Sequence, residues 1–486
     1  MPKLAAALTR NLIVGFALLA SCHSPPPPVH TPVSPWPARA RQDILAAYTA
    51  FAENHPGMHD PENPGFPAAL AAARDAALRV PVDDRAGYVE TLGTFTAGLA
   101  DGHAQVAPRG HDAVAALAWP GFVVAWRGNA LFVHDAGPSS PAPAGTPITA
   151  CNGLAVTDFV RQRMRTRGFR PNEAGQWWLR ATDAFVATED TRATRAERCT
   201  FGGRESRLVW TGAPEDLDAR LRRATDGERT PIGLGEARPG IFLVGLPDFH
   251  PNTAAVDRYH ALFAELRARH AELARARAIV LDLRHNGGGS SAWSEQTAAA
   301  LWGEDATQAR IAAYGAQVRV AWRASRGNVA HVLGLEPTVR AQGNTRFADE
   351  LRVIGAGMRD ALARGTPFYV ENAEPPPPAI PTTDLRTPVY VITPGRCGSA
   401  CLDAVDTFAL FPTTKRVGAP TSADSTYLDV RFEELPSGEG EAVIPIKVYV
   451  NRPRRSGEIY RPAIEVDDVD WSTKTFLDRI ERDLAG

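Results

Sequence analysis

The stretch Ala278-Ile279-Val280-Leu281-Asp282-Leu283-Arg284-His285-Asn286-Gly287-Gly288-Gly289 decides how this chain folds. Ala278 to Leu283 is an apolar run bounded by polar and turn-forming residues, which reads as a strand buried on both faces. Asn286 and three glycines then break the run, and a helix is predicted from about Ala292 to Trp302. Upstream lie a second apolar strand, Ile241 to Leu246, and a helical pattern from Ala255 to Arg277. Downstream the unit repeats: strand Pro388 to Thr393, turn Pro394 to Gly398, helix from Ser399 to about Phe411, then a short strand at Val417-Gly418. Strands alternating with helices predict an α/β fold around a parallel sheet with right-handed crossovers.

Working outward, residues 40–112 carry apolar positions at helical spacing (Ile44, Leu45, Tyr48, Phe51), an Ala-rich helix from Ala68 to Leu78, and a third helix from Arg85 to Leu99. Beyond about 115 the pattern turns to strands, Phe122 to Trp126 and Ala130 to Val133, and then to an Asn152-Gly153 turn with a helix after it. The Gly-x-x-Ile…Asn-Gly phrase there is similar to the carboxyl half of a PDZ module, so 115–212 is expected to be PDZ-like. Residues 303–384 break the α/β pattern inside a core spanning 238–475 and are expected to form an inserted, partly helical subdomain covering the site. No internal repeat is present.

Ser399, between Gly398 and Ala400, stands where a strand gives way to a helix. Such a turn presents a hydroxyl at the carboxyl edge of the sheet and aims helix-start N–H groups at an attacked carbonyl, although Ser is also a common helix N-cap. The triple glycine offers backbone amides unobstructed by side chains, suited to an oxyanion hole, with Gly288 and Ala400 as expected donors and Gly287 close behind. The ending of a phosphate-cradling loop is absent, and a dinucleotide fingerprint does not fit.

With 44% hydrophobic and 22% charged residues, the 486-residue chain has the composition of a globular protein. A net charge of −2 offers no basic face for nucleic acid. The N-terminus reads as an address. Lys3 and Arg10 precede an apolar run, Leu12 to Leu19, too short to span a bilayer, and Leu19-Ala20-Ser21-Cys22 follows. That phrase resembles the lipobox of bacterial lipoproteins, which makes 1–22 a signal peptide and Cys22 the lipidated N-terminus. A Pro-rich tether over 23–39 would hold the chain on the periplasmic face of the cell envelope, at the outer membrane by preference. In that oxidising compartment Cys151, Cys199, Cys397 and Cys401 are an even set, expected to pair as Cys151–Cys199 and Cys397–Cys401. Cys397 and Cys401, which bracket Ser399, read alternatively as two small buried thiols. No CxxC pair or His-rich neighbour suggests zinc or another metal.

Asp282-x-Arg284-x-Asn286-x-Gly288-Gly289, followed after a gap by Ser399-Ala400 and by Val417-Gly418-x-x-Thr421, resembles the tail-specific (C-terminal-processing) serine proteases. Leu99-Ala100-Asp101-Gly102-His103 is similar to the tricorn branch, which also holds the interphotoreceptor retinoid-binding repeats. The resemblance covers roughly 40–110, 240–302 and 387–470. It implies a ClpP/crotonase-type spiral core, peptide or protein substrates, and hydrolysis through an acyl-enzyme without metal or cofactor.

Two mechanisms occur in that family. One is a Ser/Lys dyad with the Lys just past the Thr, but here the place reads Thr421-Ser422-Ala423-Asp424, with Lys415 before it and Lys447 well beyond. The other uses a His base and a downstream Glu, which implies Ser399 as nucleophile, His103 as base and Glu458 as the orienting acid; Glu433, Glu434 and Glu441 stand nearby. The chain departs from the tricorn Ser-His phrase in having Gly102 before its His. Rival readings are a non-catalytic ligand-binding lipoprotein on the same fold and a crotonase-like acyl-CoA enzyme, in which Ser399 would have no role.

Overall fold

A computed structural model describes residues 34–109, 117–188, 194–341, 343–371 and 379–486. The signal peptide, Cys22 and the first part of the Pro-rich tether lie outside the described residues, as do Pro375 to Pro378. The central sheet runs Gly233–Arg238, Ile241–Gly245, Ala278–Asp282, Val389–Thr393, Thr414–Gly418 and Ile464–Glu465, in that order. The first pair is antiparallel and every later pair parallel. Helix Thr253–Ala268 makes one crossover and helix Ala400–Ala409 another.

The apolar runs are explained by burial on both faces. Ile241, Ala278, Val280, Tyr390, Ile392 and Val417 point to one side, where they meet Trp126, Trp177, Trp178, Trp471 and Phe476. Phe242, Val244, Ile279, Leu281, Val389 and Val391 point to the other, against Tyr259, Phe263, Leu301 and Phe408 of the helices. Alternate residues thus serve opposite cores, which is why polar residues are scarce in these strands.

In a second sheet Gly440–Val450 pairs along most of its length with Tyr427–Glu434 and, on its other edge, with Gln105–Pro108 at its start and Arg319–Arg323 at its end, with Phe368–Val370 beyond the latter. Three distant parts of the chain therefore meet in one sheet. The stretch 303–384 contributes two of its strands, together with helices Arg326–Ala341 and Thr345–Ala363. Helices Trp36–Asn54, Phe66–Ala77 and Arg85–Leu99 pack on the other end of that sheet through Ile44, Phe51, Leu92 and Phe95 against Ala442 and Ile444. The first helix starts at Trp36, inside the stretch read as tether.

A third sheet, antiparallel, joins Phe122–Arg127, Ala130–Ala136, Pro147–Cys151, Arg198–Phe201 and Arg204–Arg207. Asn152 and Gly153 take positive φ values of 50° and 77°, as a two-residue hairpin turn requires, and helix Val156–Met164 follows. Cys151 faces Cys199 across paired strands and is bonded to it, with Cα atoms 4.1 Å apart. No helix among the described residues is long and apolar enough to cross a membrane.

Candidate active site

Ser399 is built into a strained turn. The buried strand Val389–Thr393 ends in Pro394-Gly395-Arg396-Cys397-Gly398, and Ser399 precedes helix Ala400–Ala409 with φ 52° and ψ −132°. A non-glycine residue rarely holds such a φ, and doing so costs on the order of 1–3 kcal/mol unless its surroundings enforce it. Here a Cys397–Cys401 disulfide spans the turn, and Arg396 donates to both oxygens of buried Asp226 at 2.8 and 2.7 Å. The backbone carbonyl of Ser399 accepts the N–H groups of Leu402 and Asp403. Its side chain makes no capping bond, so the hydroxyl is not used as an N-cap.

The glycine loop is pressed onto this turn. Gly288 has φ 110°, and a Cβ on it would lie 2.9 Å from both Gly398 O and Ser399 Cβ and 3.3 Å from Ala400 N. Only a glycine lets the loop sit that close. Asn286, fully buried, braces it: its amide donates to Leu246 O and its carbonyl accepts the Gly288 N–H, each at 2.9 Å. Gly288, expected as an oxyanion donor, has its N–H taken up by Asn286 within the loop. Among the described residues no hydrogen bond takes up the N–H of Gly287 or Ala400. Asp282 and Arg284 are structural. The buried guanidinium donates to Asp282, to Trp471 O at 2.8 Å and to Thr473 Oγ1 at 2.8 Å, tying the C-terminal helix Thr473–Ala485 to the sheet.

His103 lies on a different segment of the chain. Helix Arg85–Leu99 ends with Ala100 in the left-handed region, φ 53°, and the chain turns through Asp101-Gly102-His103 into strand Gln105–Pro108. Asp101 is a turn residue: its Oδ1 accepts the His103 N–H at 2.9 Å and the Ser425 hydroxyl at 2.7 Å. Its Oδ2 lies 3.4 Å from His55 Nε2, whose ring is buried and stacked on Phe66 at 4.1 Å. Because His55 Nδ1 accepts the Gly57 N–H, its proton sits on Nε2, facing Asp101. Burial keeps His55 neutral by lowering its pKa, despite the Asp101 carboxylate.

The carboxylate beside the His103 ring is Asp424, with Nδ1 to Oδ1 at 3.1 Å. His103 Nδ1 makes no hydrogen bond with it, so the pair is a charge contact. Burial works to lower the His103 pKa, but Asp424, then Asp101 and Asp429, outweigh it and raise it above the usual value. Glu458 is placed differently. Its Oε2 accepts the Arg455 N–H at 2.9 Å within its own turn, so the acid expected to orient His103 is not the one on the ring. Lys415 pairs with Asp483 and Lys447 with Asp429, both at 2.8 Å.

No hydrogen bond joins Ser399 Oγ to the His103 ring among the described residues; a charge network ties the two segments instead. Asp424 Oδ2 lies 3.9 Å from Arg454 Nη2, and Arg454 donates to Asp406 at 2.7 Å and to Asp403 at 2.9 Å, both on the helix Ser399 precedes. Among the described residues no cluster of three His, Cys, Asp or Glu could hold a metal.

Mature CPAF bound to lactacystin superposes on 92% of this chain and 98% of its own, with a TM-score of 0.62 at 14% identity. Other solved structures similar to this chain are named as proteases. They include the photosystem II D1 C-terminal processing protease, at 15% identity, TM-score 0.38, and coverage of 92% and 97%. The tricorn protease matches 93% of this chain and 37% of its own at 12% identity and TM-score 0.36. The likeness to mature CPAF establishes the mixed α/β fold. No protein-family model and no curated relative matches the sequence.

Proposed function

We propose that the chain is a serine peptidase that cleaves peptide or protein substrates through an acyl-enzyme. The observation that carries this reading is Ser399 itself, an uncapped hydroxyl in a strained strand-to-helix turn with Gly288 in contact. Ser399 Oγ attacks the scissile carbonyl carbon while its proton passes to His103. The carbonyl oxygen becomes an oxyanion facing the N–H of Ala400 and of the glycine loop, where Gly287 has the uncommitted amide. Collapse breaks the C–N bond, and the leaving amine takes the proton from His103. Water, deprotonated by the same imidazole, then hydrolyses the ester and restores Ser399. The imidazolium formed on the way needs a carboxylate beside it, and the expected Glu458 and the observed neighbour Asp424 compete for that role. The core sheet is read as a ClpP/crotonase-type spiral and the antiparallel sheet around Asn152-Gly153 as a PDZ-like module.

Hydrolysis of a peptide library tests the reaction. Ser399→Ala, His103→Ala and the double variant should retain similar, small residual rates, because the two groups act as a unit. Ser399→Ala turning over at the wild-type rate would end the proposal. The envelope location, with lipid on Cys22, is a separate proposal supported by Leu19-Ala20-Ser21-Cys22. Palmitate should label the wild type and not Cys22→Ser; an unlabelled wild type refutes it.

A further inference from the structure

We infer that Asp424 is the positioning residue of His103: its carboxylate holds the Nδ1–H tautomer and leaves Nε2 to take the proton of Ser399. This inference rests on the peptidase reading and assigns the third member of its unit.

Two consecutive residues grip His103 at two points. Asp424 meets the ring, Nδ1 to Oδ1 at 3.1 Å. Ser425 donates its hydroxyl to Asp101 at 2.7 Å, and Asp101 accepts the His103 backbone N–H at 2.9 Å. The loop that sets the ring's height thus also carries the carboxylate that sets its rotation. The ion-pair side chains are largely withdrawn from water, 19% exposed for His103 and 4% for Asp424, so the charge contact is weakly screened. Beside that carboxylate Nδ1 is the ring nitrogen favoured to carry the proton, which leaves Nε2 as the acceptor.

Asp424 is itself fixed. Its carbonyl accepts the Gly457 N–H at 2.8 Å, and the preceding Ala423 N–H donates to Glu173 at 3.1 Å. Arg454 stands 3.9 Å from its second oxygen and is anchored on Asp403 and Asp406, so the carboxylate that orients the base is referenced to the helix behind Ser399. Removing the Asp424 charge leaves Arg454 paired with those two aspartates, which favours a folded variant. Around His103 the charged groups are Asp424, Asp101 and Asp429, with Arg170 against Gly102 and itself paired to Glu173. Glu458 is held on Arg455 within its own turn.

The test compares full-length wild type, Asp424→Asn, Asp424→Glu and Glu458→Gln in the rate of fluorophosphonate labelling at Ser399 across pH, with His103 followed by NMR titration. Asp424→Asn should slow labelling by ~10²- to 10⁴-fold. Its acid limb should move to lower pH, and the NMR pKa of His103 should fall with it. Asp424→Glu should recover part of the rate, and Glu458→Gln should lose less rate than Asp424→Asn and leave the acid limb in place. The inference is overturned if Asp424→Asn keeps the wild-type rate and limb, or if Glu458→Gln shows the loss and the shift. Should Asp424→Asn fail to fold, Asp424→Glu and Glu458→Gln decide: a displaced limb in the second with none in the first contradicts the inference. A wild type unlabelled at Ser399 sinks the peptidase reading instead, while the NMR titration still reports on the His103–Asp424 pair.

Discussion

Replacing Gly288 by alanine tests whether the glycine loop and Ser399 are matched surfaces. The new Cβ would sit 2.9 Å from Ser399 Cβ and 2.9 Å from Gly398 O, at a φ of 110°. Carbon atoms rest at about 3.5–4.0 Å, so something must move by roughly 0.6–1 Å. The backbone conformation costs on the order of 1–3 kcal/mol for a side chain, and overpacking adds a similar amount. If Ser399 is what moves, a displacement of ~1 Å costs about 10²-fold in turnover. Gly287→Ala is the informative partner, since its Cβ would meet nothing within 4 Å and both variants keep their N–H. Urea denaturation with peptide hydrolysis should show Gly288→Ala losing about 3 kcal/mol and at least ~10²-fold in kcat, and Gly287→Ala losing far less of both. Equal stability and equal rates for Gly288→Ala and wild type would refute the reasoning.

Three further outcomes follow from the same geometry. Arg284→Met strands the buried Asp282 carboxylate, so urea denaturation should show a loss of about 3–5 kcal/mol, and a loss under 1 kcal/mol would mean that the pair is not integral. Lys415→Ala and Lys447→Ala should hydrolyse peptides within about twofold of wild type, because each ammonium is committed to a carboxylate, Lys415 to Asp483 and Lys447 to Asp429, and neither supplies the base; the exposed Lys415 pair contributes ~1 kcal/mol or less. The raised pKa of His103 means that the folded state binds its proton more tightly than the unfolded chain. Its contribution to stability is therefore full below about pH 6.5 and is lost as pH rises through the folded pKa, a dependence that unfolding curves should show in wild type and see reduced in Asp424→Asn.

The central strands and the Ser399 turn were legible because a strand buried on both faces is apolar up to its end, as Ala278 to Leu281 and Val389 to Ile392 are. Asn152-Gly153 was legible because few residue pairs accept two consecutive positive φ values. The second sheet was not. Gln105–Pro108, Arg319–Arg323 and Gly440–Val450 pair across hundreds of residues, and nothing local records such a partner. The same holds for the carboxylate on His103. After Thr421, where a Ser/Lys dyad would place its lysine, stands Asp424, and its charge, suited to a histidine base, was the signal available. The engagement of the Gly288 N–H depended on Asn286 folding back two residues along the loop, a contact that only coordinates reveal.

Mapping a fluorophosphonate adduct on the full-length protein tests the central claim most directly. The account predicts a single adduct on the peptide containing Ser399, absent in Ser399→Ala and formed far more slowly in His103→Ala. Peptide hydrolysis by a protein whose adduct maps to another residue, or that forms none, would contradict it.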